Sequence, residues 1–256
     1  MKNRFMFFGR VITGGIFVYV IITQPREMIP VFLAFAALTG LLLVYYRIRS
    51  NSIEAAGRVL GFQPLSDEDF SRYPILTHDP PRTVRCAIRG KWKGRNVVVA
   101  DMFQSAGRGG FMQTVLVMEL PGRPLPKFAA IERWHAGFTS YVDLPRVPTP
   151  DNLKQFWFVC ANDGLWPFGE KTQEWLNKFA NRKGLLSGWF HYGWSCEGVD
   201  NCLYLYRLTK TVSPNKMTEW LDEAIQVACE LGECIYSDVP APVLTLDDSG
   251  IGFGIR

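Results

Sequence analysis

The sequence predicts an α+β protein in which an N-terminal transmembrane helical hairpin precedes a soluble domain. This domain is expected to contain a mostly antiparallel sheet and two or three packed helices. Three observations support the prediction: two long apolar runs open the 256-residue chain, alternating apolar and polar residues follow from residue 84, and strand patterns then recur between single helices without βαβ alternation. We expect three parts, a membrane hairpin over 1–49, a cytoplasmic α+β domain over 50–237 and a tail over 238–256.

The first 49 residues have the composition of two membrane spans. Residues 5–23 are apolar except for Arg10, and residues 29–46 carry no charge. At 1.5 Å per residue each run is about 27–29 Å long, which matches a hydrocarbon core of ~30 Å. Residues 24–28 between the runs predict a tight turn, with Pro30 in the first turn of the second helix.

Flanking charges predict the orientation of this hairpin. Lys2 and Arg4 precede the first run and Arg47 and Arg49 follow the second, whereas the turn between them has no net charge. Because basic flanks stay on the cytoplasmic side of a membrane, we expect both termini and the folded domain in the cytoplasm. A cleaved signal peptide is the weaker alternative, since no small-residue cleavage site lies near Thr23 and a second run follows.

The predicted elements of the domain follow one another along the chain. A helix over 50–60 stops at Gly61, and the Lys93-Gly94 dipeptide predicts a two-residue turn between two strands. The strands are predicted over 84–92, 97–102, 112–120, 127–132, 156–160, 188–196 and 202–208, with a glycine-rich loop over 107–110 and a turn over 198–201, and the helices over 170–181 and 213–231.

Several of these segments also carry a resemblance. Leu60-Gly61-Phe62 follows the two apolar runs, and then come RGKWKGRNVVVAD from Arg89, QTVLVMEL from Gln113 and LPKF from Leu125. In these features the chain resembles a group of bacterial membrane-anchored proteins that share the hairpin, the RG-x-W-x-G turn and the QTV strand. The resemblance covers about residues 1–235. It implies a multi-pass protein of a bacterial inner membrane with a cytoplasmic domain of unknown function, and it carries no catalytic residue.

Motifs typical of an enzyme, a metal site or a cofactor site are missing from the sequence. The six cysteines form no CxxC pair, and no Walker A, GxGxxG or GxSxG motif occurs. His191, Cys196 and Cys202 could in principle ligate a metal, but core positions within one hairpin are the simpler interpretation. We therefore expect no cofactor, no metal ion and no catalytic residue.

Charge is distributed unevenly along the domain. Residues 82–95 carry six basic side chains and no acidic one, whereas residues 219–248 carry eight acidic side chains and no basic one. The basic segment contacts anionic lipid, forms a solvated face of the sheet, or pairs with the acidic final helix. Beyond residue 50 the net charge is −1, which argues against nucleic acid as a partner. The candidate lipid- or anion-binding residues are Arg82, Arg85, Arg89, Lys91, Lys93, Arg95 and Arg108.

Together these features predict a membrane-anchored interaction or scaffold module that is not an enzyme. Its expected partners are the lipid bilayer and an unidentified protein. Ala36 and Gly40 are small residues about one turn apart, which would also allow self-association. An anionic-lipid-binding or sensing domain that uses residues 82–95 is the first alternative, and an enzyme without a recognisable motif is the second.

Overall fold

The computed structural model describes residues 25–75, 83–106, 109–121, 124–132, 144–154, 157–180, 193–207 and 210–238. The chain divides into two compact units, residues 1–51 and residues 52–256. Several predictions fall wholly or partly outside the described residues. They include the first membrane span over 5–23, residues 188–192 of a predicted strand, the tail beyond residue 238, and the positions of Arg82, Arg108 and His191.

A single long helix, α1 (Pro25–Val59), accounts for the described part of the first unit and continues past it. Among the described residues it is the one helix long and apolar enough to cross a membrane, with a mean hydropathy of 2.1 in its most apolar window. The turn predicted over 24–28 is wrong from Pro25 onward, because a proline fits the start of a helix, where its missing N–H costs nothing. Pro30 therefore lies inside the helix rather than in its first turn.

The end of α1 confirms the predicted stop at Gly61. Gly61 has a φ of +80°, which a glycine adopts without the steric penalty of a Cβ atom. The Phe62 N–H donates to the Gly57 carbonyl at 2.8 Å, and the Gly61 N–H donates to the Arg58 carbonyl at 3.0 Å. This pair of bonds is a Schellman motif, and it satisfies carbonyl groups that the helix end would otherwise leave open.

An eight-stranded antiparallel sheet organises the described part of the second unit. Its antiparallel pairing is as the sequence predicts, whereas strand β1 is not predicted. The strands follow the spatial order β1-β2-β3-β4-β8-β7-β5-β6. Their bounds are β1 (Gln63–Pro64), β2 (Thr83–Trp92), β3 (Arg95–Ala106), β4 (Gly109–Glu119), β5 (Leu125–Glu132), β6 (Trp157–Ala161), β7 (Ser195–Asp200) and β8 (Cys202–Tyr206).

The two faces of this sheet pack against different elements. Helices α3 (Glu170–Ala180) and α4 (Met217–Asp238) cover the first face, and Ile53 near the end of α1 belongs to the same core cluster. A short helix, α2 (Asp67–Phe70), and the residues after it lie with the apolar side chains of the second face. The alternation of side chains along each strand therefore separates two hydrophobic layers.

The β7–β8 hairpin differs from its prediction by several residues. Residues 188–192 of the strand predicted over 188–196 lie outside the described residues, and the described strand covers Ser195–Asp200. The turn is formed by Asp200, with a φ of +54°, and Asn201. Gly198 lies within β7 rather than in the turn, where it pairs with Phe128. A glycine is needed there because a Cβ atom would come within 2.3 Å of the Phe128 ring. The sequence pattern therefore predicts a turn role for Gly198, whereas its role in the structure is close packing.

Two other boundaries differ from the sequence prediction. Gly109 and Gly110 are not part of a loop, since they pair with Ala106 and Ser105 at the start of β4. The helix predicted over 213–231 is observed as a 3-10 turn over Pro214–Lys216 followed by α4. Helix α4 ends at Asp238, seven residues after the predicted end. The Asp238 carboxylate accepts hydrogen bonds from the Lys171 and Thr172 N–H groups, at 3.2 and 2.7 Å, and so caps the N-terminus of α3.

Candidate functional site

Helix α1 exposes apolar side chains around its whole circumference. The five consecutive residues Leu41–Tyr45 are each 45–68% exposed, and five residues exceed one 3.6-residue turn. Phe35 is 69% exposed, while the Thr39 hydroxyl is satisfied internally by the Phe35 carbonyl at 2.8 Å. Because such a surface is unfavourable in water and suits a bilayer, α1 indicates that the protein associates with a membrane.

The basic segment forms the predicted hairpin of β2 and β3. Lys93 and Gly94 have φ values of +48° and +78°, which is the pattern of a type I′ turn. The pairing register shifts between Val84 and Cys86, so a bulge interrupts β2 near its N-terminal end. Along the rest of β2 the side chains alternate between the two faces of the sheet. Alternation therefore places Arg89 and Lys91 on the same face, whereas Lys93 lies in the turn and Arg95 pairs with Trp92 on the opposite face.

Arg89 belongs to a polar cluster centred on the Glu119 carboxylate at the end of β4. The Arg89 guanidinium lies 3.6 Å from this carboxylate, which also accepts hydrogen bonds from the Asn96 amide at 3.3 Å and the Tyr73 hydroxyl at 2.9 Å. Burial and the neighbouring Glu119 raise the pKa of Tyr73 to about 12. The positive charge of Arg89 is therefore partly neutralised within the domain by Glu119.

Lys93, at the tip of the hairpin, pairs with helix α4. Its ammonium group lies 2.9 Å from the Asp222 carboxylate, which also accepts a hydrogen bond from the Trp92 indole N–H at 2.8 Å. The Lys93 and Trp92 hydrogen bonds lower the pKa of Asp222. Of the three interpretations left open by the sequence, pairing with the acidic final helix is the one seen at Lys93.

The remaining candidate residues lie in different surroundings. Arg85 and Lys91 are exposed on β2, and Arg95 is half-buried opposite Trp92 in the register of the hairpin. Arg82 and Arg108 lie outside the described residues. Of the described candidates, Arg89 and Lys91 are thus the pair that strand alternation places on one face of the sheet.

Acidic residues of α4 also pair with other tryptophans of the domain. The Trp194 indole N–H donates to Glu223 at 3.1 Å, and the Trp175 indole N–H donates to Glu230 at 3.0 Å. Arg207 contacts the same Glu223 carboxylate and stacks over the Trp194 ring at 4.5 Å. Acidic side chains on this helix therefore orient aromatic residues that pack around it. The sequence shows the acidic run and the tryptophans, but not that they pair.

Two buried carboxylates in the sheet were not predicted from the sequence. Asp101 is 1% exposed and accepts a hydrogen bond from Thr114, whose hydroxyl in turn accepts the Val212 N–H at 2.9 Å. Glu197 is fully buried and accepts a hydrogen bond from the Tyr206 hydroxyl at 2.8 Å. Both carboxylates are held by neighbouring strands, and each pair joins residues of the same sheet face. Charged residues inside strands of otherwise apolar pattern are the one sequence signal that marks them.

The cysteines of the described chain do not form a reactive or metal-binding group. Burial raises the pKa of the Cys196 thiol well above its usual range and, with the nearby Glu119 charge, raises that of Cys202 to about 11. His191 lies outside the described residues. Within the part of the chain that the structure describes, no three His, Cys, Asp or Glu side chains are grouped as metal ligands would be.

Comparison with known proteins gives one similar structure. No protein-family model matches the chain, and no curated protein matches it. Among solved structures, it is similar to the crystal structure of the mycobacterial trehalose monomycolate transport factor A, with 10% sequence identity and a TM-score of 0.48. The match covers 75% of this chain and 97% of that one. A likeness this weak does not bear on what the present chain binds.

Proposed function

We propose that this protein is a membrane-anchored module whose folded domain binds another protein and catalyses no reaction. The observation that carries the anchoring part of the proposal is the exposed apolar surface of α1. Residues 29–46 include ten Leu, Ile, Phe or Val side chains, and each favours insertion at a bilayer centre by about 0.3–0.6 kcal/mol. A helix with this surface holds whatever is attached to it at a membrane.

The anchor is proposed to be a helical hairpin with both termini in the cytoplasm. Residues 5–23 would form its first span, and the basic residues Arg47 and Arg49 would keep the exit of the second span on the cytoplasmic side. Helix α1 has 35 residues and a length of about 52 Å, more than the ~30 Å hydrocarbon core requires. Its charged last third, from Arg47 to Arg58, would therefore lie outside the membrane.

Binding rather than catalysis is supported by how the described polar side chains are used. Asp222, Glu223 and Glu230 accept tryptophan hydrogen bonds in the packing around α4. Asp101 and Glu197 are held by hydroxyl groups of neighbouring strands. Catalytic groups converge on one space that a substrate can enter, whereas these carboxylates connect elements of the fold.

The test is crosslinking in cells of the tagged full-length protein, followed by purification and mass spectrometry. The matched control is the anchor alone, residues 1–50, with the same tag and expression level. We expect at least one protein to be captured with the full chain and not with the anchor. Identical sets of captured proteins would contradict the proposal, because the folded domain would then contribute nothing to the interaction.

A second candidate function is binding of anionic lipid by the basic hairpin, and it rests on a narrower observation. Arg85 and Lys91 remain exposed on β2, and no described carboxylate pairs with Lys91. A basic side chain close to an anionic membrane contributes about 1 kcal/mol. The ion pairs of Arg89 and Lys93 reduce the charge available for such a contact.

Hydrogen exchange of the full chain in nanodiscs separates this candidate from the first. Under the lipid hypothesis, amides of β2 and β3 become more protected in discs with phosphatidylglycerol than in discs of phosphatidylcholine alone. Lys91→Gln should remove most of this difference, whereas Lys216→Gln, an exposed lysine before α4, should leave it unchanged. Equal protection in both kinds of disc would exclude lipid binding by the hairpin.

A further inference from the structure

The β7–β8 hairpin lies in the middle of the sheet, although its two strands are the last described strands along the chain. β8 pairs with β4 and β7 pairs with β5, so the hairpin fills the space between two strands that follow one another in sequence. We call this space between β4 and β5 the slot. Among the described strands, β1–β4 and β5–β6 are therefore joined to one another only through the hairpin.

The connection between β4 and β5 closes one end of the slot. β4 ends at Glu119 and β5 begins at Leu125, and the two strands are three strand spacings, about 14 Å, apart. A segment of this length reaches at most about 20 Å, so β4 and β5 cannot separate widely there. At the tip of the hairpin, the Asn201 carbonyl accepts the Leu120 N–H at 2.8 Å, and Asp200 pairs with Leu125. The tip therefore contacts both ends of the connection.

The hairpin is also fixed along both sides of the slot. On the β4 side, the Thr114 N–H donates to the Lys210 carbonyl at 2.9 Å, and the Thr114 hydroxyl accepts the Val212 N–H at 2.9 Å. Both partners lie in the segment between β8 and α4. On the β5 side, Gly198 packs so closely against Phe128 that a Cβ atom would come within 2.3 Å of the ring. The fit of the hairpin thus depends on both neighbouring strands.

The two strands of the hairpin are held together by their own contacts. Each residue of Ser195–Val199 pairs with a residue of β8, and Asp200 adopts a φ of +54° in the turn between them. Glu197 is fully buried and accepts the Tyr206 hydroxyl at 2.8 Å, so a charged group of β7 has a partner on β8. Because a buried charge that loses its partner is costly, β7 and β8 stay paired more readily than they separate.

We infer that the β7–β8 hairpin is the closing unit of the sheet and that it enters and leaves the slot as one body. The short connection keeps β4 and β5 together at one end, so the hairpin leaves both strands in the same step. Its departure separates β1–β4 from β5–β6 and exposes two unpaired strand edges, which are the feature that lets a sheet pair with another chain. The inserted hairpin therefore keeps both edges covered.

The test is native-state hydrogen exchange of the full-length protein in detergent, measured for single amides at several low urea concentrations. Two groups of amides are compared, those of Val115–Glu119 that bond to β8 and those of Leu125–Ala130 that bond to β7. Gly198→Ala disturbs the fit of the hairpin in the slot. Gly94→Ala is the matched control, since this glycine has a φ of +78° in the β2–β3 turn, away from the slot. Circular dichroism confirms that both variants remain folded.

We expect both groups of amides to exchange with the same opening free energy and the same urea dependence. Gly198→Ala should raise both exchange rates by one factor, about tenfold or more, because the added methyl group opposes insertion. Gly94→Ala should raise exchange in β2 and β3 and leave both groups unchanged.

Two results would overturn the inference. Different opening free energies for the two groups would mean that the hairpin separates from one edge while it stays on the other. Equal effects of the two variants on every strand would mean that the sheet opens as a whole rather than at the slot.

Discussion

At the residue scale, indole N–H groups that meet carboxylates set the positions of aromatic side chains around α4. Trp92, Trp175 and Trp194 donate to three different acidic residues of this helix. Trp166, in contrast, packs edge-to-face on Phe168 and donates to no described residue. Tryptophan therefore occurs here both with an indole hydrogen bond and without one. A comparison of the two kinds of site separates the contribution of the hydrogen bond from that of the aromatic ring.

Trp175→Phe should lower the free energy of unfolding by about 1 kcal/mol more than Trp166→Phe does, because it alone removes a hydrogen bond to a carboxylate. Both substitutions keep an aromatic ring and remove one N–H group. For a domain of this size the difference corresponds to about 2–4 °C in the unfolding midpoint of the full-length protein in detergent. Equal shifts for the two variants would show that the Trp175–Glu230 bond contributes nothing.

The thiols of Cys196 and Cys202 should resist alkylation in the folded protein. Burial raises both pKa values, and at pH 8 a thiol with a pKa of about 11 is ~0.1% thiolate. Treatment of the native protein with N-ethylmaleimide, followed by peptide mass spectrometry, should modify the half-buried Cys229 first. Denaturant should then expose all six cysteines. If Cys196 or Cys202 instead reacts fastest in the native state, a reactive thiol exists and the enzyme alternative gains support.

At the element scale, hairpins and helix ends show what a single sequence can and cannot predict. The Lys93-Gly94 turn and the Gly61 stop are correct, because each depends on backbone preferences of the residues themselves. Gly198 is misplaced, because its role depends on Phe128 from a strand about 70 residues away. Likewise, α4 extends to Asp238, whose carboxylate caps a different helix, and no local pattern marks such a contact.

Gly198→Ala should destabilise the β5–β7 pairing by about 1–3 kcal/mol, since the added methyl group would lie 2.3 Å from the Phe128 ring. Phe128→Leu frees space at that position, so the double variant should lose less stability than the two single variants added together. Urea unfolding of the full-length protein, followed by circular dichroism, measures this coupling. Additive losses in the double variant would mean that the glycine is not required by this contact.

At the scale of the whole molecule, the periodicity of apolar residues predicts the α+β class and the antiparallel sheet. It does not predict which polar residues pair with one another. The seven basic residues were grouped because they are close in sequence, yet strand alternation sends Arg89 toward Glu119 and the turn brings Lys93 to Asp222. Local patterns predict elements, and sites depend on which elements meet.

Anchoring by the apolar helix is the central claim, and alkaline carbonate extraction of cell membranes tests it most directly. The full-length protein should stay in the membrane pellet, because the exposed apolar surface of α1 is stable only within lipid. A variant without residues 1–48 should move to the supernatant. Release of the full-length protein by carbonate would contradict the account, since the helix would then be covered by something other than the bilayer.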